Sequence, residues 1–176
     1  MEKSLKSLAI NYGVYVGLIL SAVTIIAYAF DLTLLTKWWL GIILFVVIIV
    51  FGIVSTAKAK SVLQGFISFK QAFSSFFITV VFGILLSTVV NIVLFNFIDP
   101  EAAEVIKQAT IEASVSMMES FGAPQEAIDQ TISEMENTNQ FAIDSLLKSL
   151  AWQFLFYSII GLIVAAFMKK KDSNAE

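Results

Sequence analysis

The sequence contains no cysteine, no histidine and no arginine. Without cysteine there is no disulfide, thiolate metal site or thiol nucleophile, and without histidine the commonest general base and metal ligand is missing. Any acid–base chemistry would fall to carboxylates or lysines, and all of these lie outside the long apolar runs. With only two prolines and eight glycines in 176 residues, the chain is neither collagen-like nor of low complexity. No phosphate loop, dinucleotide fingerprint, HExxH zinc motif or convincing serine–lysine pair occurs. A non-enzymatic protein is therefore expected, with no catalytic residue, no cofactor, no metal and no nucleic-acid partner. The spans carry no ionisable acid or base of the kind that ion-coupled transporters bury, and the two halves show no inverted repeat of broken helices. A passive pore assembled from several copies stays open as the alternative.

What the chain has in quantity is apolar surface: 58% of residues are hydrophobic, and the mean hydropathy is +0.85. Four runs, over about 8–30, 38–57, 71–98 and 149–168, lack any charge and are long enough to cross a hydrocarbon core, which takes about 20 helical residues. Their apolar residues do not alternate, and a helix satisfies its own backbone in lipid, so helices are expected rather than barrel strands. The fold class read from the sequence is all-α and polytopic. A single membrane domain over 1–176 has four transmembrane helices and an extramembrane helical hairpin between the third and fourth. Lipid is the first expected partner.

Lysines near span ends resist translocation, whereas acids matter little. Lys3, Lys6, Lys58, Lys60, Lys70, Lys169, Lys170 and Lys171 fall on one side, against Lys37, Lys107 and Lys148 on the other. Both termini are therefore expected to be cytoplasmic. Lys3 and Lys6, followed by an apolar run and Ala27-Tyr28-Ala29, imitate a cleavable signal peptide, but the run over 8–30 exceeds the usual signal core and is expected to be retained. Tyr28, Trp38, Trp39, Trp152 and Tyr157 on the outer side, with Tyr12, Tyr15, Phe66 and Phe69 on the inner, read as interfacial anchors.

Helices associate in lipid through close packing of small residues and scattered hydrogen bonds. Gly13, Gly17 and Ser21 form one small-residue stripe, Gly83, Ser87 and Asn91 a second, and Gly161 with Ala165 a third. Asn91 and Gln153 are the strongest hydrogen-bonding side chains within the spans. Interhelical pairing is the expected role of both, with the lining of a polar path as the alternative.

Residues 99–145 are too many for a simple connection. Asp99-Pro100 reads as a helix start, an aspartate cap followed by proline at the first position. Ala102, Val105, Ile106, Ala109, Ala113, Met117 and Phe121 share one broad face, and Glu101, Glu112 and Glu119 stack opposite them beside Glu104. Gly122-Ala123-Pro124 should end this helix and open a second, to about Glu136, whose apolar face is Ala127, Ile128, Ile132 and Met135. Asn137 and Gln140 resemble a capping box, and Phe141, Ile143 and Leu146 are expected in an outward extension of the last helix. The apolar faces are expected to pack on each other or on the bundle, a partner surface being the alternative. An almost wholly acidic polar face disfavours lipid-surface binding. The glutamate stripe reads as a solvated face rather than a calcium site, because its spacing is not that of an EF-hand loop.

Gly65-Phe66-Ile67-Ser68-Phe69-Lys70-Gln71-Ala72-Phe73, followed by a long apolar helix that ends in Asp99-Pro100-Glu101, resembles the bacterial membrane family known as domain of unknown function 4199. The general plan is similar over nearly the whole chain. The resemblance implies a bacterial inner-membrane location and transfers no site. Physically, Phe66, Ile67 and Phe69 are expected to dip into the inner interface as a short turn, a cytoplasmic docking motif being the alternative. The leading functional expectation is an assembly or interaction component that offers Glu101, Glu112, Glu119 and Phe121 to the periplasm. Its partner would be a second copy or another membrane or periplasmic protein. The competing expectation is an oligomeric small-solute or cation pore.

Charge supports this frame. The net charge of −3 combines ten acids and Lys107 over 99–145 with eight lysines against Glu2, Asp172 and Glu176 on the opposite side, Lys148 adding one positive charge and Asp31 cancelling Lys37. A weak overall acidity is thus a strong separation of charge along the molecule.

Overall fold

The computed structural model describes residues 3–170. The protein is all-α: α1 (Lys3–Phe30), α2 (Trp38–Val62), α3 (Phe69–Ile92), α4 (Pro100–Ser120), α5 (Gln125–Glu136) and α6 (Ile143–Met168). Helices α1, α2, α6 and α3 with its continuation to Ile98 are each long and apolar enough to cross a membrane. The chain is a multi-pass membrane protein. Among the described residues there is no strand, only one backbone bridge between Ile67 and Lys170.

Helix α3 is the hub, packing against α1, α2 and α6, whereas α2 and α6 barely meet. Glycine makes the closest approach possible. A methyl group on Gly13 would lie 2.6 Å from Phe82 Cβ and 2.8 Å from the Thr79 carbonyl oxygen, and one on Gly83 would lie 2.5 Å from Val16 Cγ1. Gly17 meets the Leu86 side chain at similarly short range. Phe76, wholly buried, fills the axis between Gly52 on α2 and Gly161 on α6. It is surrounded by Val16, Leu20, Val80, Ile84 and Tyr157.

Polar groups supplement this packing on the half nearer the start of α3. Thr79 Oγ1 lies 3.0 Å from the Ala9 carbonyl oxygen, 2.8 Å from Ser55 Oγ and 2.9 Å from the Ser75 carbonyl oxygen, all buried. One hydroxyl therefore links α1, α2 and α3. At that end the turn after α2 takes the left-handed conformation at Gln64 and Gly65. Ser68 and Gln71 then form a reciprocal capping box that starts α3. Ile67 exchanges two backbone hydrogen bonds with Lys170, at 3.0 and 2.9 Å, and Lys60 Nζ donates to the Met168 carbonyl at 3.0 Å. Ile67 is 1% exposed, packed with Leu5, Ala59, Ala72 and Ala165. This corrects the interfacial reading for Ile67, which is a core residue, and the segment is a clasp on the end of α6. Phe66 is left to carry the Lys170 ammonium 5.5 Å above its ring. The turn, the ends of α2 and α6 and the starts of α1 and α3 gather Lys3, Lys6, Lys58, Lys60, Lys70, Lys169 and Lys170 at one pole, the lysine end; Lys171 lies outside the described residues.

At the opposite pole, the loop end, α3 continues through a wider π turn, Val93–Ile98, which buries the adjacent residues Leu94 and Phe95 together. Asp99 closes that turn by donating its N–H to the Leu94 carbonyl at 2.8 Å. Its carboxylate then caps α4 through Ala102 N–H at 3.0 Å and accepts the Tyr28 hydroxyl at 3.0 Å. Tyr28 is thus a tie between α1 and α4 as well as an aromatic at the end of a span.

Candidate functional site

The segment between α3 and α6 is where the chain leaves the apolar bundle. Pro100 occupies the first turn of α4, where its missing N–H costs nothing. Ala102, Ala103 and Ile106 are buried against Leu94, Phe95, Tyr28, Leu32 and Leu35. Farther along, Ile111 of α4 and Ile128 of α5 are buried, and Lys107 Nζ donates to the Glu136 carbonyl at 2.7 Å, which brings the end of α5 back to α4. Gly122 supplies the left-handed residue between the two helices, with φ of 70°.

The buried stripe of α4 keeps Ala102 and Ile106 of the sequence-based face but departs from it elsewhere. Two partners, the bundle and α5, share the helix, so Ala103 and Ile111 are buried as well, whereas Val105 and Ala113 are exposed and Ala109 is half-buried. Val105 and Met117 are half exposed and Phe121 is 84% exposed. Val105 and Ala109 line an open concavity of about 560 Å³ together with Thr33, Gln108, Glu101, Glu104 and Glu112. Two of the three stripe glutamates, Glu101 and Glu112, therefore border the same hollow, and Glu119 lies beyond it on the same face. Among the described residues no group of carboxylates is gathered to hold a metal ion.

The neighbouring turn is ordered by Asp31, whose carboxylate accepts Thr33 Oγ1 at 2.7 Å and Thr33 N at 2.9 Å. The Thr33 hydroxyl chiefly, then its amide and the Lys37 charge, hold the Asp31 carboxyl below the usual range.

Two expectations for the entry to α6 are corrected. Phe141 is not helical but sits before α6, its ring 4.5 Å from that of Phe95 and its carbonyl taking the Asn96 amide at 2.9 Å. Asn137 ends α5 rather than opening a capping box, and Asn139 accepts the Phe141 N–H instead. Ile143 and Leu146 do belong to α6.

Within the spans, Gly13, Gly17 and Gly83 meet at the α1–α3 contact. Ser21 is buried with an unpaired hydroxyl, Gly161 rests on Phe76 and Phe73, and Ala165 is wholly buried. Ser87, Asn91 and Gln153 do not bond to one another. They line a cavity of about 260 Å³ toward the loop end, to which all four spans contribute. Sequence reasoning missed Gly52, Ser55, Thr56 and Thr79, although Gly52, Ser55, Thr56 and Ala59 recur at helical spacing as a small-residue stripe.

A family model described as Protein of unknown function (DUF4199) matches residues 11–170. No curated protein and no solved structure matches the chain.

Proposed function

The chain belongs to the DUF4199 family of proteins of unknown function, and from that premise we propose a non-enzymatic interaction component of the bacterial inner membrane. In this reading the lysine end and both termini are cytoplasmic, and the loop end with α4 and α5 is periplasmic. The observation that carries it is the α4 face on which the half-exposed Val105 and the half-buried Ala109 line a hollow edged by Glu101, Glu104 and Glu112. Apolar side chains framed by one sign of charge suit a partner helix that is apolar on one side and basic at its margins. A second copy of this acidic face would be repelled, so the partner is another membrane or periplasmic protein.

The pore alternative has less support. Phe76, Val80 and Ile84 fill the axis of one copy, so conduction would require a channel between several. Photo-crosslinking in cells tests the leading reading. A crosslinker at Ala109 should capture a defined protein, and one at Gln130 on the exposed side of α5 should not. Equal labelling at both positions, or none at Ala109, would overturn it. A salt-selective flux from reconstituted liposomes would favour the pore.

A further inference from the structure

The cavity between the spans has a composition that ordinary helix packing does not need. Tyr157 is 6% exposed and Ser87 9% exposed, both border the cavity, and neither hydroxyl has a hydrogen-bond partner among the described residues. Thr88, Asn91 and Gln153 border it too and are equally unpaired. Buried hydroxyls and amides without partners are costly in a protein interior and more so in hydrocarbon. Here Tyr157 and Ser87 are buried, Thr88 and Asn91 half-buried and Gln153 exposed, and five hydrogen-bonding side chains without a protein partner among the described residues on one cavity indicate an occupant that accepts hydrogen bonds.

The shape narrows the class. Gly41, Asn91 and Leu146 border the cavity near the loop end, whereas Leu20, Ile48 and Ile84 border it deeper in the spans. Along α3 the lining runs from Asn91 through Thr88 and Ser87 to Ile84, so polar groups give way to an apolar floor. No lysine or carboxylate lines the cavity, so the bound part of the ligand is uncharged. Gln153 borders the cavity and is exposed although it lies within a span, so the cavity opens sideways toward lipid beside α6. About 260 Å³ corresponds to roughly eight or nine water-sized volumes of about 30 Å³ each. That suits a compact head of linked esters and the first part of a chain.

We propose that this cleft binds the glycerol-ester region of one membrane glycerolipid. The ester carbonyls accept from Tyr157, Ser87 and the two amides, and an acyl chain leaves past the exposed Gln153. Recognition is of the esters, so the headgroup is immaterial.

Native mass spectrometry of the full chain in mild detergent, after delipidation and titration with defined lipids, tests this. Dioleoyl phosphatidylcholine, phosphatidylglycerol and phosphatidylethanolamine should each add one tightly held molecule with similar affinity. The diether counterpart of the phosphatidylcholine, which has no carbonyls, should bind about tenfold more weakly, a loss equivalent to one or two hydrogen bonds. Tyr157→Phe combined with Ser87→Ala should weaken the diester by a similar factor while helicity in lipid-free detergent stays unchanged. Equal binding of diester and diether lipids by the wild-type chain would overturn the proposal, whether or not the double variant folds. So would the absence of any retained lipid, which would leave water in the cavity, or a lipid-free dimer, which would place a second copy there.

Discussion

Replacing Gly13 by alanine adds one methyl group at the tightest point between α1 and α3. That carbon would lie 2.6 Å from Phe82 Cβ and 2.8 Å from the Thr79 carbonyl oxygen, where ordinary contact begins at 3.4 Å. Neither obstacle is the flexible tip of a side chain, so the helices must part by about 0.8 Å (3.4 minus 2.6). A gap of about that size forfeits a quarter to a half of each dispersion well along the seam, including those of Gly17 with Leu86 and Gly83 with Val16. The Thr79–Ala9 contact, 3.0 Å in the intact protein, passes beyond hydrogen-bond range. Overpacking of this kind costs about 1–3 kcal/mol and a lost interhelical hydrogen bond about 0.6–1.7 kcal/mol. Against these stands a gain of about 1 kcal/mol from alanine's better helix propensity. The net expectation is a loss of about 1–4 kcal/mol. Gly41 provides the control, since a methyl there meets nothing within 4 Å. Gly41→Ala should leave stability unchanged or raise it by up to about 1 kcal/mol. Unfolding by dodecyl sulfate in mixed micelles, followed by far-ultraviolet circular dichroism, compares the two. Equal midpoints for the two variants, or a more stable Gly13→Ala, would refute the claim that glycine is needed there for close approach.

Thr79→Val keeps the volume but strips the hydroxyl from Ala9, Ser55 and Ser75; the same titration should show a loss of about 1–2 kcal/mol, largely recovered in Thr79→Ser. Ser68→Ala removes half of the capping box and should cost about 1 kcal/mol, read most directly as faster amide exchange at Gln71. Asp31 titrates below its unfolded value, so its contribution is complete above about pH 4 and fades as pH falls through the lowered folded value. A carbon-detected magnetic resonance titration should find its midpoint below that of a model peptide, and Thr33→Ala should move it back upward. An unshifted Asp31 midpoint in the wild-type chain would contradict the Thr33 contacts.

Why some of this was legible in the residues and some was not has a physical basis. Four spans are readable because a bilayer demands long uncharged runs, and Gly13, Gly17 and Gly83 because close approach demands small residues at helical spacing. Ile67 misleads because an apolar residue next to lysines looks interfacial, and only the pairing with Lys170, far away in the chain, makes it core. Part of the face of α4 is misread, with Val105 and Ala113 exposed and Ala103 and Ile111 buried, because periodicity assumes one buried side and this helix has two neighbours. Phe141 fits the apolar period of α6 but belongs to Phe95 through a tertiary contact. Among candidate site residues, Glu101 and Glu112 were visible as a stripe, whereas their hollow depends on Thr33 from a separate segment. Tyr157, read as an anchor, borders the cavity only because α6 turns it toward Phe45, 6.1 Å away between ring centres.

The π turn at the end of α3 makes the spacing of residues there matter more than their identity. It accommodates one residue beyond an ordinary helical turn, which is what aligns Asp99 with both Tyr28 and the first N–H groups of α4. Deleting any one of the residues from Val93 to Ile98 would close the wide turn and swing everything after it by about 100°. Every side chain outside the gap would survive, yet α4 would lose its cap and its tie to α1 together. Length variation, tolerated elsewhere between helices, is therefore confined in this chain to segments such as the Gly122 turn, where no side chain has to meet a second address.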